Sequence, residues 1–181
     1  MTMDGCTVLM VPGYENSGPQ HWQTLWQKEH AEYKRVEQKD WQHPERNEWV
    51  NALDRAIAAV SGKVILVAHS IGCVAVAHWA ATPRAQVVGA LLVAPADAER
   101  PSLPKEIKGF APMPLKPLPF RSIAVISNDD PYTNLMRARF FASKWKSRLV
   151  EVGGKGHLNS DSNLGMWPEG ESLLQELIAA S

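Results

Sequence analysis

Three side chains that together can perform nucleophilic catalysis occur in the order serine, aspartate, histidine along this 181-residue chain. Ser70 follows the apolar run VILVA, Asp130 lies in SNDDPY, and His157 lies in the glycine-rich stretch GGKGHL. A serine hydroxyl is a weak nucleophile until a neighbouring base accepts its proton, and a histidine base needs a carboxylate to fix its tautomer. These residue types therefore indicate covalent acyl-transfer chemistry, provided that the fold brings them together.

Ser70 stands where the predicted strand Val64–Ala68 ends and a predicted helix begins. The residues two positions before and after it, Ala68 and Gly72, are small, as a sharp strand-to-helix turn requires. The usual pattern at such a turn is G-x-S-x-G, in which Ala68 replaces the first glycine. The alternative is that Ser70 only caps the helix, which serine does well. The motif alone does not decide between the two.

Asp130 and His157 favour the catalytic interpretation because each follows a later predicted strand. The carboxyl ends of parallel strands are where open α/β sheets bind their ligands, and the order Ser, Asp, His is that of α/β-hydrolases. We predict His157 as the general base and Asp130 as the carboxylate that orients it. Asp129 is an alternative to Asp130, and Asp97 is a third candidate whose simpler interpretation is a capping or surface residue.

An acyl-transfer site also needs hydrogen-bond donors for the developing oxyanion. The predicted donors are the backbone N–H of Ile71, at the start of the helix, and that of Tyr14 in the loop PGYENSG. Gly13 of that loop is predicted to contact substrate, because glycine lets the backbone approach closely. Trp167, in LGMWPEG, is a further candidate for substrate binding. The alternative is that it fills a helix–sheet layer, as we expect of most of the seven tryptophans.

These residues require a parallel sheet whose strand ends meet, and the chain alternates strand and helix patterns in the way that builds one. Most of the predicted strands are continuous apolar runs, which is typical of a parallel sheet covered by helices on both faces. We expect about six strands in the order second, first, third, fourth, fifth, sixth. The predicted strands are Thr7–Val11, Arg35–Gln38, Val64–Ala68, Val88–Val93, Ile123–Ser127 and Leu149–Val152. The predicted helices are Gln20–Ala31, Asn47–Val60, Ile71–Ala81, Asn134–Trp145 and Pro168–Ala180.

The segment Pro101–Phe120 contains six prolines, so it is neither a long helix nor a central strand. We predict an ordered surface excursion along the rim of the site rather than a linker between domains. Residues 1–181 are accordingly predicted to form a single domain without a large lid.

The composition argues against several classes of function. Nineteen basic residues balance nineteen acidic ones, so no strong field attracts nucleic acid or anionic lipid. The apolar runs are too short to span a bilayer and the N-terminus lacks a signal-peptide pattern, so we expect no membrane partner and a cytoplasmic location.

The histidines lack metal-binding spacing, His69 is expected to be structural, and neither metal nor cofactor is expected. Cys6 and Cys73 are expected to remain thiols.

Four blocks taken together, VPGYENSGPQHW, VAHSIGC, SNDDPY and GGKGHLNSDSNLGMWPEG, resemble the small α/β-hydrolases of the retinoblastoma-binding-protein-nine and YdeN type. The resemblance extends over essentially the whole chain, and the first and last blocks are its most specific parts. One departure is Asn163, where a glycine is expected.

The resemblance implies a compact, nearly lidless α/β-hydrolase fold with Ser70, Asp130 and His157 as the catalytic triad. Together with the residue pattern it predicts a serine esterase acting on a small or medium-sized soluble acyl substrate, with thioesters and amides as further options. The alternative function is a protein-interaction module built on a hydrolase scaffold, with vestigial or secondary catalysis.

Overall fold

The computed structural model describes residues 5–181, and its centre is a six-stranded sheet. The strands are β1 (Cys6–Val11), β2 (Lys34–Arg35), β3 (Lys63–His69), β4 (Val87–Val93), β5 (Arg121–Ile126) and β6 (Arg148–Glu151). They lie in the order β2-β1-β3-β4-β5-β6, and every neighbouring pair is parallel. Both the predicted α/β class and the predicted strand order are therefore confirmed.

Five helices connect and cover these strands. They are α1 (Trp22–Glu29), α2 (Arg46–Ala58), α3 (Ile71–Trp79), α4 (Leu135–Trp145) and α5 (Pro168–Ala179), and a short 3₁₀ turn spans Ser160–Ser162. All five lie where the sequence predicts helices, with ends shifted by up to two residues. Helix α1 begins later than predicted because His21 caps it, accepting a hydrogen bond from the N–H of Gln23 at its Nδ1.

The sheet is buried on both faces, which explains its continuous apolar strands. On β3, Val64 and Leu66 belong to the core beneath α2, α3 and α4, whereas Ile65 and Val67 belong to the core beneath α1 and α5. All four side chains are fully buried, and each contributes roughly 1.5–3 kcal/mol of hydrophobic stabilisation. This two-sided burial holds β3 at the centre of the sheet, and Ser70 follows directly at its carboxyl end.

The proline-rich segment between β4 and β5 contains no helix or strand, as predicted. It is nevertheless anchored to the fold: Ile107 and Phe110 are buried, and the N–H of Lys108 donates to the carbonyl of Pro44 at 2.8 Å. Leu103, Pro104 and Ile107 line the cavity beside Ser70. The prediction that this segment follows the rim of the site is confirmed.

Two further features of the described residues bear on the sequence predictions. Cys6 lies in the core beneath α1 and α5, whereas Cys73 lies in the core on the opposite face of the sheet, so no disulfide joins them. Between residues 5 and 181 no helix is long and apolar enough to cross a membrane.

Candidate active site

Ser70 occupies a strained turn between β3 and α3. Its backbone has φ 56° and ψ −126°, a conformation that costs non-glycine residues of order 1–3 kcal/mol. Gly72 makes the turn possible, since a Cβ at that position would stand 2.4 Å from the carbonyl oxygen of Val11 and 2.6 Å from that of Pro12. The Ser70 side chain makes no capping hydrogen bond to α3. The helix-cap alternative is therefore wrong, and the hydroxyl is directed elsewhere.

The structure brings the hydroxyl of Ser70 together with His157 and Asp130. The Oγ of Ser70 lies 2.7 Å from Nε2 of His157, and Nδ1 of His157 lies 2.9 and 3.0 Å from the two carboxylate oxygens of Asp130. Only 7% of the His157 side chain and 4% of the Asp130 side chain are exposed. Because shielding from water strengthens charge-assisted hydrogen bonds, this connected row of side chains is well placed for proton transfer.

Asp129 makes a different set of contacts from its neighbour. Its Oδ1 accepts hydrogen bonds from the hydroxyl of Ser127 at 2.6 Å and from the N–H of Gly156 at 2.8 Å. These two hydrogen bonds hold the pKa of the Asp129 carboxyl below its usual range. Asp129 thus connects the end of β5 to the loop that carries His157, and it is Asp130 that contacts the imidazole.

Asp97 takes no part in the row of hydrogen bonds at Ser70. Its carboxylate is held by Arg137, with Nε–Oδ2 and Nη2–Oδ1 distances of 2.7 and 3.0 Å. Burial raises the pKa of Asp97, but the hydrogen bonds from Arg137 and from the N–H of Glu99, together with the nearby positive charges, outweigh burial and lower the pKa overall. The interpretation of Asp97 as a structural residue agrees with these contacts.

His69 directly precedes Ser70, the serine of the strained β3–α3 turn (the elbow), and contacts the loop that carries His157. Its Nε2 lies 2.9 Å from the backbone carbonyl oxygen of His157, and the residue is only 5% exposed. Burial, together with the nearby rings of His21 and His157, holds the pKa of His69 well below its usual range. Because a carbonyl oxygen can only accept, neutral His69 carries its proton on Nε2. Its role is structural, as predicted.

His21 is a residue of the site whose role the sequence pattern did not indicate. It lines the cavity and stands 4.7 Å from the ring of His69, and burial lowers its pKa to about 3. Its Nε2 is buried and has no hydrogen-bond partner among residues 5–181. The signal that could have found it is its position directly before the apolar face of α1, where a side chain able to accept a hydrogen bond caps a helix.

A cavity of about 350 Å³ opens beside Ser70. Five parts of the chain form its wall: the loop after β1, the β3–α3 turn, the segment after β4, the loop after β5, and the loop after β6. The lining residues include Tyr14, Ile71, Leu103, Tyr132 and Asn159. Within the described part of the chain, no group of three or more histidine, cysteine, aspartate and glutamate side chains is arranged to hold a metal ion.

Both predicted oxyanion donors line this cavity. Ile71 is the first residue of α3 and Tyr14 belongs to the loop after β1. For residues 5–181 the structure records no backbone hydrogen bond from the N–H of either residue. Gly13 is not among the residues that line the cavity, and its predicted contact with substrate stays a prediction. A Cβ there would lie 2.8 Å from that of Ser70, so Gly13 lets the Tyr14 loop pack directly against the elbow.

The prediction that Trp167 lines the substrate pocket is wrong. The residue is 4% exposed, and its ring lies 5.1 Å from that of Trp22 and 6.1 Å from that of Trp26. The physical reason is the positive φ of 46° at Trp167, the N-cap residue directly before α5, together with the space left by Gly170. A Cβ on Gly170 would come within 2.2 Å of the indole. Trp167 therefore belongs to the core beneath α1 and α5.

A parallel sheet with this order, carrying a serine on a strained turn after its third strand, defines the α/β-hydrolase class. The serine hydrolase family model matches residues 8–176, and the chain belongs to this family. The resemblance inferred from the four sequence blocks is thereby confirmed.

Solved structures of the same fold agree with this assignment. A YdeN-like protein from Pectobacterium atrosepticum is 31% identical, with 97% of this chain and 92% of that chain covered and a TM-score of 0.87. The ydeN gene product of Bacillus subtilis is 20% identical over 95% and 98% of the two chains, with a TM-score of 0.79. A monoacylglycerol lipase from Paleococcus ferrophilus shares the fold at 14% identity, 96% and 94% coverage and a TM-score of 0.70. No curated protein sequence matches the chain significantly.

Proposed function

We propose that this protein hydrolyses carboxylic esters of small or medium-sized soluble acyl compounds through an acyl-enzyme formed on Ser70. The observation that carries the proposal is the continuous hydrogen-bonded row from Ser70 Oγ through the imidazole of His157 to the carboxylate of Asp130. A row of this geometry activates the nucleophile, because the imidazole that accepts the hydroxyl proton is already hydrogen-bonded to the hydroxyl group.

The first half of the proposed reaction forms the acyl-enzyme. Asp130 accepts the Nδ1–H of His157, which leaves Nε2 free to accept the hydroxyl proton of Ser70. As Oγ attacks the ester carbonyl, the proton moves to Nε2, and Asp130 stabilises the resulting imidazolium. The imidazolium then protonates the leaving alcohol as the carbon–oxygen bond of the ester breaks.

The second half releases the acyl group. Water enters the position of the departed alcohol, and the neutral imidazole of His157 accepts its proton as the oxygen attacks the acyl carbonyl. The imidazolium then returns that proton to the Oγ of Ser70 as the bond between Oγ and the acyl carbon breaks, which frees the carboxylic acid. The backbone N–H groups of Ile71 and Tyr14 are the proposed donors to the oxyanion in both halves. One such donor is worth about 2.7–4 kcal/mol of barrier, so this pair accounts for a large part of the expected rate enhancement.

The cavity supports a substrate of modest size. Its volume of about 350 Å³ lies at the lower end of the range for small-molecule sites. Leu103, Pro104 and Ile107 provide an apolar wall for an acyl chain, while Asn159 and Ser160 provide polar contacts. The same catalytic residues would also act on thioesters or amides, so the bond type has to be tested directly.

A fluorophosphonate probe and a panel of 4-nitrophenyl esters of increasing chain length test the proposal. We expect the probe to label Ser70 and turnover to be highest for short and medium acyl chains. Ser70→Ala should abolish both, whereas Ser172→Ala, which changes an exposed serine on α5, should leave both intact. A folded protein whose Ser70 stays unlabelled would instead favour the protein-interaction alternative.

A further inference from the structure

Arg100 places an incompletely paired guanidinium in the wall of the cavity beside Ser70. The side chain is half-buried, and its Nη1 donates to the hydroxyl of Ser102 at 2.8 Å. Its Nε is fully buried and has no hydrogen-bond partner among residues 5–181. A buried donor without an acceptor is unfavourable, so residues 5–181 leave this edge of the guanidinium incompletely paired, and the side chain has to turn to present Nε to a molecule in the cavity.

Three other arginines of this protein show which acceptor fits that edge of a guanidinium. In each of them Nε and Nη2 together donate to the two oxygens of one carboxylate, at distances between 2.7 and 3.0 Å. The pairs are Arg84 with Asp54, Arg137 with Asp97, and Arg139 with Glu151. This two-point contact is the preferred geometry between arginine and carboxylate. At Arg100 the structure records no protein carboxylate on the same edge.

Ring contacts fix where the Arg100 guanidinium lies relative to the reacting groups. Its central carbon stands 4.8 Å from the centre of the Tyr132 ring, and the Tyr132 ring lies 4.4 Å from the imidazole of His157. Stacking on an aromatic face is favourable for a guanidinium and leaves its N–H edges available. Arg100 is therefore separated from the imidazole of His157 by a single aromatic ring.

No other charged group among residues 5–181 forms a recorded ion pair with Arg100, although the charge of Arg100 helps to lower the pKa of Asp97. Asp97 and Glu99, its neighbours in sequence, are both bound by Arg137. Glu15 and Asp161 also line the cavity, but both are exposed to solvent and neither forms a recorded ion pair with Arg100. Water and salt screen exposed charges strongly, so a direct hydrogen-bonded contact with Arg100 outweighs their repulsion of an anion.

We propose that Arg100 binds a carboxylate on the substrate, so that the preferred substrates are esters carrying a second, ionised carboxyl group. This inference rests on the proposed function, because the bound carboxylate would present the ester to Ser70. Hydrogen bonds from a guanidinium to a carboxylate orient the bound molecule as well as holding it. Arg100 is thus assigned as a determinant of substrate specificity.

The test compares two esters that differ in charge at one end: the mono-4-nitrophenyl ester of adipic acid, and the same compound with its free carboxyl group converted to a methyl ester. We expect the intact protein to prefer the carboxylate ester in kcat/KM. Arg100→Gln should lower kcat/KM for that ester by about 10–100-fold while changing the neutral ester less than about threefold. Arg100→Lys should keep only a small part of the preference for the carboxylate ester, because an ammonium group lacks the planar set of N–H donors that binds both oxygens of a carboxylate.

Arg55→Gln is the matched control, since it removes the same charge from an exposed position on α2. It should leave both esters unaffected. Equal losses for both esters in Arg100→Gln would show that Arg100 only supports the fold, and equal rates for the two esters in the intact protein would also overturn the inference.

Calorimetry with adipate as the probe separates failure of this inference from failure of the proposed function. Binding to the intact protein that is lost in Arg100→Gln and kept in Ser70→Ala supports the carboxylate site, whether or not esters turn over. If Ser70 is labelled and the neutral ester is hydrolysed, but adipate does not bind, the carboxylate site is wrong and the hydrolase proposal stands.

Discussion

The backbone carbonyl of His157 accepts a hydrogen bond from the imidazole of His69, the residue directly before the elbow serine. At the same time the side chain of His157 contacts the hydroxyl of Ser70. The β3–α3 turn therefore holds His157 at two points, one on its backbone and one on its ring. Because His69 and Ser70 are adjacent in sequence, these two contacts fix the distance between the proposed base and the nucleophile.

We predict that losing the His69 contact lowers both stability and activity. His69→Leu leaves the carbonyl of His157 without its donor, which costs about 1–3 kcal/mol of unfolding free energy. It should also lower kcat by about tenfold, because the His157 loop gains freedom. His69→Gln, which keeps a donor, should recover part of both losses. Urea denaturation and ester hydrolysis measure the two effects, and an unchanged kcat in a destabilised His69→Leu would limit its role to folding.

Asp129 and Asp130, replaced one at a time by asparagine, should lower kcat to different extents. Asp130→Asn removes the carboxylate that fixes the His157 tautomer, and the corresponding change in serine proteases lowers kcat about 10⁴-fold. Asp129→Asn weakens only the contacts to Ser127 and Gly156, so we expect a loss of less than about tenfold together with lower thermal stability. Steady-state kinetics and melting temperatures test the pair. Similar kcat losses in both variants would contradict the assignment of Asp130.

Stability should fall as the pH decreases from about 6.5. Burial lowers the pKa of His21 to about 3 and that of His69 well below its usual range. Below about pH 6.5 the unfolded chain binds a proton at each of these histidines, whereas the folded chain does not until the pH reaches the lowered pKa of that histidine. Each histidine therefore lowers the free energy of unfolding by up to about 1.4 kcal/mol per pH unit as the pH falls. His21→Asn, which keeps a capping side chain, should reduce this slope by the contribution of one proton, up to about 1.4 kcal/mol per pH unit. A slope unchanged by His21→Asn in urea titrations from pH 7 to pH 4 would contradict this prediction.

The two small residues that flank Ser70 should respond differently to substitution. Ala68→Gly restores the usual elbow pattern but removes a buried methyl group and frees the unfolded chain, so it should cost about 1 kcal/mol without raising kcat. Gly72→Ala inserts a Cβ against the carbonyl oxygens of Val11 and Pro12. We expect that variant to lose at least about 3 kcal/mol, or to fail to fold. Unfolding curves and probe labelling of Ser70 measure both, and a stable, fully labelled Gly72→Ala would contradict the packing argument.

The sequence was sufficient to predict the strand order and the meeting of Ser70, Asp130 and His157, because parallel strands end at one edge of a sheet. It could not decide between Asp129 and Asp130, since adjacent residues at a strand end point in different directions. That choice depends on the path of the loop between β5 and α4.

The misplacement of Trp167 has a physical cause that the sequence does not reveal. Trp167 was expected in the pocket, but the small volume of Gly170, three residues later, lets its indole turn into the core. This outcome depends on the direction of a side chain across a turn, which periodicity does not specify. The unpaired Nε of Arg100 is likewise visible only once every neighbouring acceptor has been placed.

The indole contacts of α1 give the protein an internal optical reporter of the loop that carries His157. Trp22 donates to the carbonyl of Leu158, next to His157, and Trp26 donates to the carbonyl of Met166 at the far end of the same segment. Displacement of that segment would bring water to indoles that are now buried and shift their fluorescence emission to longer wavelength. Substrate binding and loop movement could thus be followed in real time without attaching a dye.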